Sequence, residues 1–280
     1  MLVHNVPRED LGRFHGVVAQ FDEEFQARVR LVTVEGGGRA RPLNVGAAAA
    51  RGRYLAALDD DDIAFGHWVE TFADLEAASP GRVLRSMVAE QPVRDATWGD
   101  RPGYEVAGGP TSPWPATFDL VEHLLDNKTP FCGFAAPRSC VTDLGMRFDE
   151  SLSVCEDWEF LLRAAMWCGV ADSETITALY RRWESSRSAH LHSGQVWSQT
   201  RDLVHARLDQ QVLLLPPETA SQLRVRLLQI QELLLQLNHY QVAAAAGREE
   251  IDRMTASRSW KLTRPVRAVN RWGRGGRRPT

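Results

Sequence analysis

The sequence predicts an α/β fold, with strands and helices alternating over roughly the first 190 residues and a helical region after them. Residues 28–35 are rich in β-branched side chains, as strands are. An Ala-rich helix then precedes a second, almost entirely apolar strand at 53–58. Alternation at this spacing is typical of a parallel sheet covered by helices.

The pattern of apolar residues predicts the approximate bounds of the individual helices and strands. Helices are expected at 9–25, in the Ala-rich segment closed by Gly52, at 67–78 and at 117–127. Strands are expected at 28–35, 53–58, 83–90, 131–136 and 175–183. Residues 92–116, which contain many Pro, Gly and Trp residues, are predicted to form a long loop. A further helix is expected to begin at Glu156-Asp157.

Composition narrows the class of protein. The net charge of −3 predicts no nucleic-acid partner for the chain as a whole. The sequence contains no apolar run near the roughly 20 residues of a membrane span and no recognisable signal peptide, which favours a cytoplasmic location. The four cysteines lack metal-site spacing, so buried reduced thiols are expected.

The C-terminal part divides into two segments. In 220–251, apolar residues recur at intervals of three and four, which favours either a coiled coil joining copies of the chain or a helix docked on the α/β domain that precedes it. From Arg258 onward there are eight basic residues and no acidic one, in an amphipathic pattern that suits an anionic membrane surface. The predicted domains are therefore 1–195, 196–256 and 257–280.

Four consecutive acids, Asp59 to Asp62, follow the strand at 53–58. If the backbone stays extended, Asp59 and Asp61 point to one side, and Asp60 and Asp62 point to the other. Acids spaced i, i+2 at the end of such a strand suit Mg²⁺ or Mn²⁺, which in turn bind a diphosphate. A solvated acidic loop is the alternative.

The second acidic motif is the pair Glu156-Asp157 at the start of a helix. There the helix dipole favours negative charge, and helix stabilisation alone would explain both acids. The chemical alternative is a general base that removes the proton from an attacking hydroxyl.

Taken in order, the segments "LNVGAAAARGRYLAALDDDD", "FDESLSVCEDWEFLLRAA" and "YRRW" resemble the family 2 glycosyltransferases. The resemblance covers roughly residues 1–190. It implies a Rossmann-like, GT-A type nucleotide-diphospho-sugar transferase fold, in which a mixed sheet is covered by helices. It also implies inverting transfer of a sugar from a nucleotide-diphospho-sugar.

The resemblance also implies roles for individual residues. Asp59 and Asp61 map to the metal-binding acids with Asp60 beside them, and Asn44 and Gly46 map to the donor-binding segment before them. Asp157 maps to the base, with Glu156 as its neighbour.

Two departures from the family pattern stand out. The strand–helix unit that usually opens the family is expected to be missing before "MLVHN", which would leave the catalytic domain N-terminally incomplete. Trp183 stands where many members carry a histidine. Arg181 or Arg182 is then expected to meet the diphosphate, with His190 or His192 as possible substitutes for the histidine.

The function implied is that of a glycosyltransferase in bacterial cell-surface polysaccharide or glycan synthesis. Its acceptor would be a saccharide or a lipid-linked saccharide, which the basic tail would meet at the inner face of the membrane. The alternative is a catalytically inactive relative that serves as a binding or scaffold protein.

Overall fold

The computed structural model describes residues 2–6, 10–184, 194–217 and 219–263. The chain divides into two compact units, Met1–Ala220 and Ser221–Thr280. His190 and His192 lie outside the described residues, as does the tail beyond Thr263. The predicted domain limits at 195 and 256 stay predictions.

The described part of the first unit contains eight strands: β1 (Leu2–His4), β2 (Val32–Val34), β3 (Tyr54–Ala56), β4 (Ile63–Ala64), β5 (Val83–Trp98), β6 (Arg101–Val106), β7 (Phe134–Pro137) and β8 (Val170–Trp183). Its helices are α1 (Leu11–Val18), α2 (Glu23–Arg28), α3 (Ala40–Ala49), α4 (Trp68–Ala78), α5 (Leu120–Leu125), α6 (Ser139–Thr142), α7 (Glu156–Cys168) and α8 (Gly194–Leu208).

The main sheet has the strand order β3-β7-β5-β8-β4, and β6 pairs with β5. The pairing of β5 with β8 is parallel, whereas β3–β7, β5–β7, β4–β8 and β5–β6 are antiparallel. The prediction of a mixed α/β sheet with covering helices and a C-terminal helix is confirmed. The expectation that β3 is a buried parallel strand is wrong, because β3 is a half-buried edge strand paired antiparallel with β7.

A second, two-stranded sheet lies at the start of the chain. Strand β1 pairs in parallel with β2, and Leu2 is opposite Val32. Helices α1 and α2 connect the two strands, where the sequence predicts one continuous helix. The described residues thus contain a strand–helix–strand unit of their own, and the further unit expected before Met1 stays a prediction.

Helix α7 is buried on two sides, and it fixes the position of the motif at its N-terminus. Phe160 and Leu161 pack against the sheet in a cluster that includes Val83 and Phe134. On the other side, Trp158 and Leu162 belong to a cluster with residues of α5 and α8. The Trp158 indole N–H also donates to the His123 carbonyl at 2.7 Å. A helix held on both sides gives its first turn a defined place.

The segment 92–116 differs from the predicted loop. Strand β5 continues to Trp98, and a turn at Gly99, whose φ is 63°, leads into β6. The hairpin pairs Val93 with Val106. Pro92 interrupts the strand pattern in the sequence, yet its carbonyl still accepts a hydrogen bond from the Ala107 N–H at 2.9 Å. Within the described residues, β6 pairs with β5 alone and adds one strand to the sheet there.

The described part of the second unit is helical, with α9 (Thr219–Ala256) entering from the first unit and α10 (Arg258–Leu262) following it. Apolar side chains of α9 are more than half exposed at the predicted heptad positions Leu227, Ile230, Leu234 and Leu237. Among the described helices, none combines the length and apolar character needed to cross a membrane.

Candidate functional site

The acidic residues after β3 form a turn. The Asp62 N–H donates to the Asp59 carbonyl at 3.1 Å, just before β4 begins. Asp59, Asp61 and Asp62 each present one carboxylate oxygen, and these oxygens lie within 4.8 Å of one another. Asp60 is exposed and lies outside this group. We call the three carboxylates the acid cluster.

The prediction that Asp62 points away from Asp59 and Asp61 is therefore wrong. Alternation of side chains requires an extended backbone. Here the chain turns, and a turn brings residues i and i+3 close together. Aspartate is itself a common turn residue, so the run Asp59–Asp62 contained a turn signal that the extended-strand prediction overlooked.

Burial and mutual repulsion raise the pKa of all three carboxylates of the acid cluster. Partial burial raises the pKa of Asp59 and of Asp61, with further increases from neighbouring carboxylates. Burial raises the pKa of Asp62 to about 7, although the Arg181 backbone N–H donates to its Oδ1 at 3.0 Å and the Cys132 thiol is also hydrogen-bonded to it. Three close oxygens of this kind suit a hard divalent cation, and Mg²⁺ or Mn²⁺ fits them.

The N-terminus of α7 adds two carboxylates with different surroundings. It follows Cys155, whose φ of 64° is a strained value for a residue other than glycine. Glu156 is only 2% exposed and accepts from the Arg39 Nε–H at 2.8 Å. Its Oε2 is buried without a hydrogen-bond partner among the described residues. Glu156 thus has the surroundings of a structural ion-pair partner.

Asp157 is partly exposed, and its Oδ1 accepts from the Trp158 backbone N–H at 2.7 Å. Burial, followed by the Glu156 charge, raises its pKa to about 7. The sequence predicts that the helix dipole keeps this carboxylate ionised at neutral pH, as a base requires. With a pKa of about 7 it is only partly ionised there, because burial and the adjacent Glu156 carboxylate outweigh the favourable N–H contact. A carboxylate with a pKa near 7 is suited to accept a proton at neutral pH.

Arg39 connects the two acidic motifs. A turn with positive φ at Gly36 and Gly37 ends the loop after β2 and leads to Arg39 at the start of α3. Burial acts to lower the pKa of Arg39, but Glu156, Asp59 and Asp157 together raise it above its ordinary value. The Arg39 guanidinium therefore interacts electrostatically with the acid cluster and with the Glu156-Asp157 pair. The sequence contains 33 Lys and Arg residues, and no motif in it distinguishes Arg39 from the others as a site residue.

Strands β6 and β8 contribute an aromatic wall, which we define as Tyr104 of β6 together with Tyr180 and Trp183 of β8. Trp183 is hydrogen-bonded to Asp61, and its ring lies 5.8 Å from that of Tyr104. Burial raises the pKa of Tyr180 to about 12, with contributions from Asp62, Asp61 and Asp157. Tyr180 thus lies near both acidic motifs. The sequence identified Trp183 only as a departure from the family pattern.

The remaining predicted site residues take more peripheral places. The Arg181 guanidinium stacks over the Tyr104 ring at 4.4 Å, and Arg182 pairs with Glu90 at 2.7 Å. Asn44 binds the segment before α7: its Nδ2–H donates to the Phe148 carbonyl at 2.9 Å, and its Oδ1 accepts from the Phe148 N–H at 2.8 Å.

Gly46 lies within α3, the same helix as Asn44. The hydrogen bonds of Asn44 to Phe148 connect α3 to the segment that leads to Asp157. The donor-binding roles of Asn44, Gly46, Asp60 and Arg181 stay predictions.

Replacing Arg39 by Met is expected to lower the free energy of unfolding by about 2 kcal/mol. The change leaves Glu156 buried without its cation, and removing one partner of a fully buried pair typically costs roughly 3–5 kcal/mol. We reduce that value because the Arg39 side chain is 48% exposed. Urea denaturation at pH 7 measures the change.

Arg41→Met is the matched control for Arg39→Met, since Arg41 is an exposed arginine of the same helix. It should change stability by no more than about 0.5 kcal/mol. Equal losses for the two variants would contradict the ion-pair role, and so would a double variant Arg39→Met/Glu156→Gln no more stable than Arg39→Met alone.

Comparison with known proteins found similarities only among solved structures. Residues 1–349 of S. aureus TarS match with a TM-score of 0.48 and 14% identity, covering 72% of this chain and 54% of that one. The same protein in complex with UDP matches at 0.46 and 15% identity, covering 72% and 54%. Its complex with UDP-GlcNAc matches at 0.48 and 15%, covering 74% and 61%. No protein-family model and no curated protein matches the chain.

Proposed function

We propose that this protein is a metal-dependent, inverting glycosyltransferase that moves a sugar from a nucleotide-diphospho-sugar to a hydroxyl acceptor. The observation that carries the proposal is the convergence of two unlike acidic groups in one site. The acid cluster offers three carboxylates within 4.8 Å for a cation, and Asp157 offers a separate carboxylate with a pKa of about 7. Transfer of this kind requires both functions.

In the proposed reaction, Asp59, Asp61 and Asp62 would hold Mg²⁺ or Mn²⁺, which would supply positive charge for the leaving diphosphate. The acceptor hydroxyl oxygen forms a bond to the anomeric carbon from the face opposite the diphosphate. The bond from that carbon to the diphosphate oxygen breaks, and the electron pair leaves with the diphosphate. Asp157 takes the hydroxyl proton.

Arg39 and the aromatic wall have supporting roles in this proposal. Arg39 holds Glu156 in place and adds positive charge between the acid cluster and Asp157. Trp183 orients Asp61 through its hydrogen bond. Arg181, kept over Tyr104, lies beside Asp62 and is our candidate for contact with the donor.

The experiment that tests the proposal is release of nucleoside diphosphate. The chain is incubated with Mn²⁺ and a panel of uridine, guanosine and thymidine diphospho-sugars, with and without candidate saccharide acceptors. At least one donor should be consumed, and EDTA should stop the reaction. Failure to consume any donor, with donor binding also absent, would favour the alternative of an inactive binding or scaffold protein.

The exposed apolar side chains of α9 support self-association of the protein, whether it is an active enzyme or an inactive scaffold protein. We propose that 220–251 joins copies of this chain as a coiled coil, since side chains spaced by three and four form one stripe on a helix. The acceptor is a saccharide or lipid-linked saccharide of bacterial cell-surface glycan synthesis, met at the cytoplasmic face of the membrane.

Leu234→Asp is expected to convert the assembled protein to monomers, because Leu234 occupies a position of the apolar stripe and a buried charge there is costly. Leu235→Asp is the matched control. It changes the neighbouring leucine, which is 66% exposed against 59% for Leu234 but lies off the stripe. Sedimentation velocity measures both. A parent protein that is monomeric at micromolar concentration would contradict the coiled coil, as would equal effects of the two changes.

A further inference from the structure

A pocket of about 720 Å³ lies outside the site described above. It is formed by the segment 144–149, by one face of α7 and by the end of α8. We call it the arginine pocket, and the side chains that carry the argument are Arg147, Asp149, Glu159, Arg163, Trp167 and Arg207. Neither the acid cluster nor Asp157 lines it.

Helix α7 connects the arginine pocket to the proposed base. Glu159, Arg163 and Trp167 are spaced by four residues, so they form a stripe along one face of the helix. Asp157 lies on a different face, and Trp167 comes ten residues after it, about 15 Å along the helix axis. A single sugar ring is shorter than this distance. A ligand in the pocket is therefore distinct from a sugar being transferred at Asp157.

Most of the charged groups of the pocket are held in fixed directions. Arg163 binds Glu159 through two hydrogen bonds of 2.7 and 2.6 Å, and it also donates to the Arg147 carbonyl at 2.6 Å. Arg207 pairs with Asp149 and donates to the Ser151 hydroxyl at 2.8 Å. Alternating N–H donors and carboxylate acceptors match sugar hydroxyls, each of which both donates and accepts.

Arg147 gives the pocket an excess of positive charge. Its Nη1 donates to the carbonyls of Val141 and Met146, at 3.1 and 2.8 Å, but it forms no ion pair with any carboxylate of the described residues. Three guanidinium groups thus face two carboxylates. The planar guanidinium fork suits carboxylate and phosphate equally.

Trp167 supplies a large aromatic surface beside these charges. Its side chain is 61% exposed, whereas eight other residues of α7 are buried. The negative face of an aromatic ring attracts weakly positive groups such as the C–H bonds of a sugar ring. An indole beside fixed polar groups therefore favours a saccharide over a bare anion.

We propose that the arginine pocket binds a saccharide chain that carries an anionic substituent, either a carboxylate or a phosphate. The saccharide class rests on the proposed function, since a glycosyltransferase acting on a polymer gains affinity by holding a distant part of its acceptor. Trp167 stacks on a sugar ring, and Arg147 meets the anionic group.

The test uses full-length protein labelled with 5-fluorotryptophan, whose nine Trp residues give separate ¹⁹F signals. Trp167→Phe assigns the signal of interest. The signal of Trp98, 67% exposed on the β5–β6 hairpin and outside the pocket, is the internal control. The probes are tetragalacturonate, a phosphorylated maltotetraose, neutral maltotetraose and inorganic phosphate.

At least one anionic saccharide should shift the Trp167 signal and leave that of Trp98 unchanged, and the stronger probe identifies the anionic group. Arg147→Ala should weaken that binding roughly tenfold, the loss expected for a charge-assisted hydrogen bond, without affecting maltotetraose. Asp61→Asn should leave it unchanged, which separates this result from failure of the proposed donor site.

Three results would overturn the proposal. The first is absence of any shift with both anionic saccharides at millimolar concentration. The second is an equal shift with inorganic phosphate alone, which would make the pocket a simple anion site. The third is unchanged binding in Arg147→Ala.

Discussion

Replacing Asp157 by Asn is expected to lower the rate of sugar transfer roughly 10²- to 10⁴-fold, the range typical of loss of a general base. The amide has nearly the shape of the carboxylate and can still accept the Trp158 N–H hydrogen bond of 2.7 Å. The fold and donor binding should therefore persist. Transfer measured at saturating donor, together with donor affinity by calorimetry, separates these effects.

The pH dependence of the transfer rate is a second test of Asp157 as the general base. Asp157 must be ionised to accept a proton, and its pKa is raised to about 7. The transfer rate should rise about tenfold per pH unit below pH 7 and level off above it. Residual transfer by Asp157→Asn should lack this rise.

Glu156→Gln distinguishes the two acids of the motif. The Glu156 charge is the second largest cause of the raised pKa of Asp157, after burial. Removing that charge should move the midpoint of the pH profile below 7 while much of the transfer at pH 8 remains. A Glu156→Gln variant that is as inactive as Asp157→Asn would instead make Glu156 the base. Near-parent transfer by Asp157→Asn would leave Asp157 with a helix-stabilising role only.

The sequence predicted those elements whose pattern is local. Helix α4 is observed at Trp68–Ala78 where a helix was expected at 67–78, and α7 begins at Glu156 as expected. In both, apolar residues recur at helical spacing and fix the buried face. The two acidic motifs also come together, as parts of one electrostatically coupled site.

Features that depend on long-range contacts were missed. The sequence of β3 predicts a buried strand because it is apolar, but its burial depends on which strands flank it, and among the described strands only β7 pairs with it. The β5–β6 hairpin contains Pro92 and several glycines, which favour a loop by local preference, yet pairing along β5 and β8 sets the structure there.

For the site, the sequence predicts the residues of the motifs but not the contacts and burial that set their chemistry. Residue types near a motif are visible in the sequence, which is why Asp59, Asp61 and Asp157 could be predicted as site residues. The contribution of Arg39 is not visible, because 117 residues separate it from Glu156. A pKa near 7 for Asp157 follows from burial, which only the folded chain reveals.

We propose that the acid cluster binds a divalent cation together with a nucleoside diphosphate. Asp61→Asn should weaken Mn²⁺-dependent binding at least about 100-fold, more than the 10- to 100-fold typical of losing a group that only supports a ligand. Asp60→Asn is the matched control for loss of the cation, since it makes the same change at the exposed neighbour outside the cluster. It should keep Mn²⁺-dependent binding even though it removes the donor contact predicted for Asp60.

The most direct measurement is calorimetric titration of uridine, guanosine and thymidine diphosphates into the parent chain, Asp60→Asn and Asp61→Asn, with and without Mn²⁺. The proposed site predicts that the parent and Asp60→Asn bind at least one diphosphate only when Mn²⁺ is present, and that Asp61→Asn does not. Absence of binding to the folded parent chain, or equal affinity in all three proteins, would contradict it.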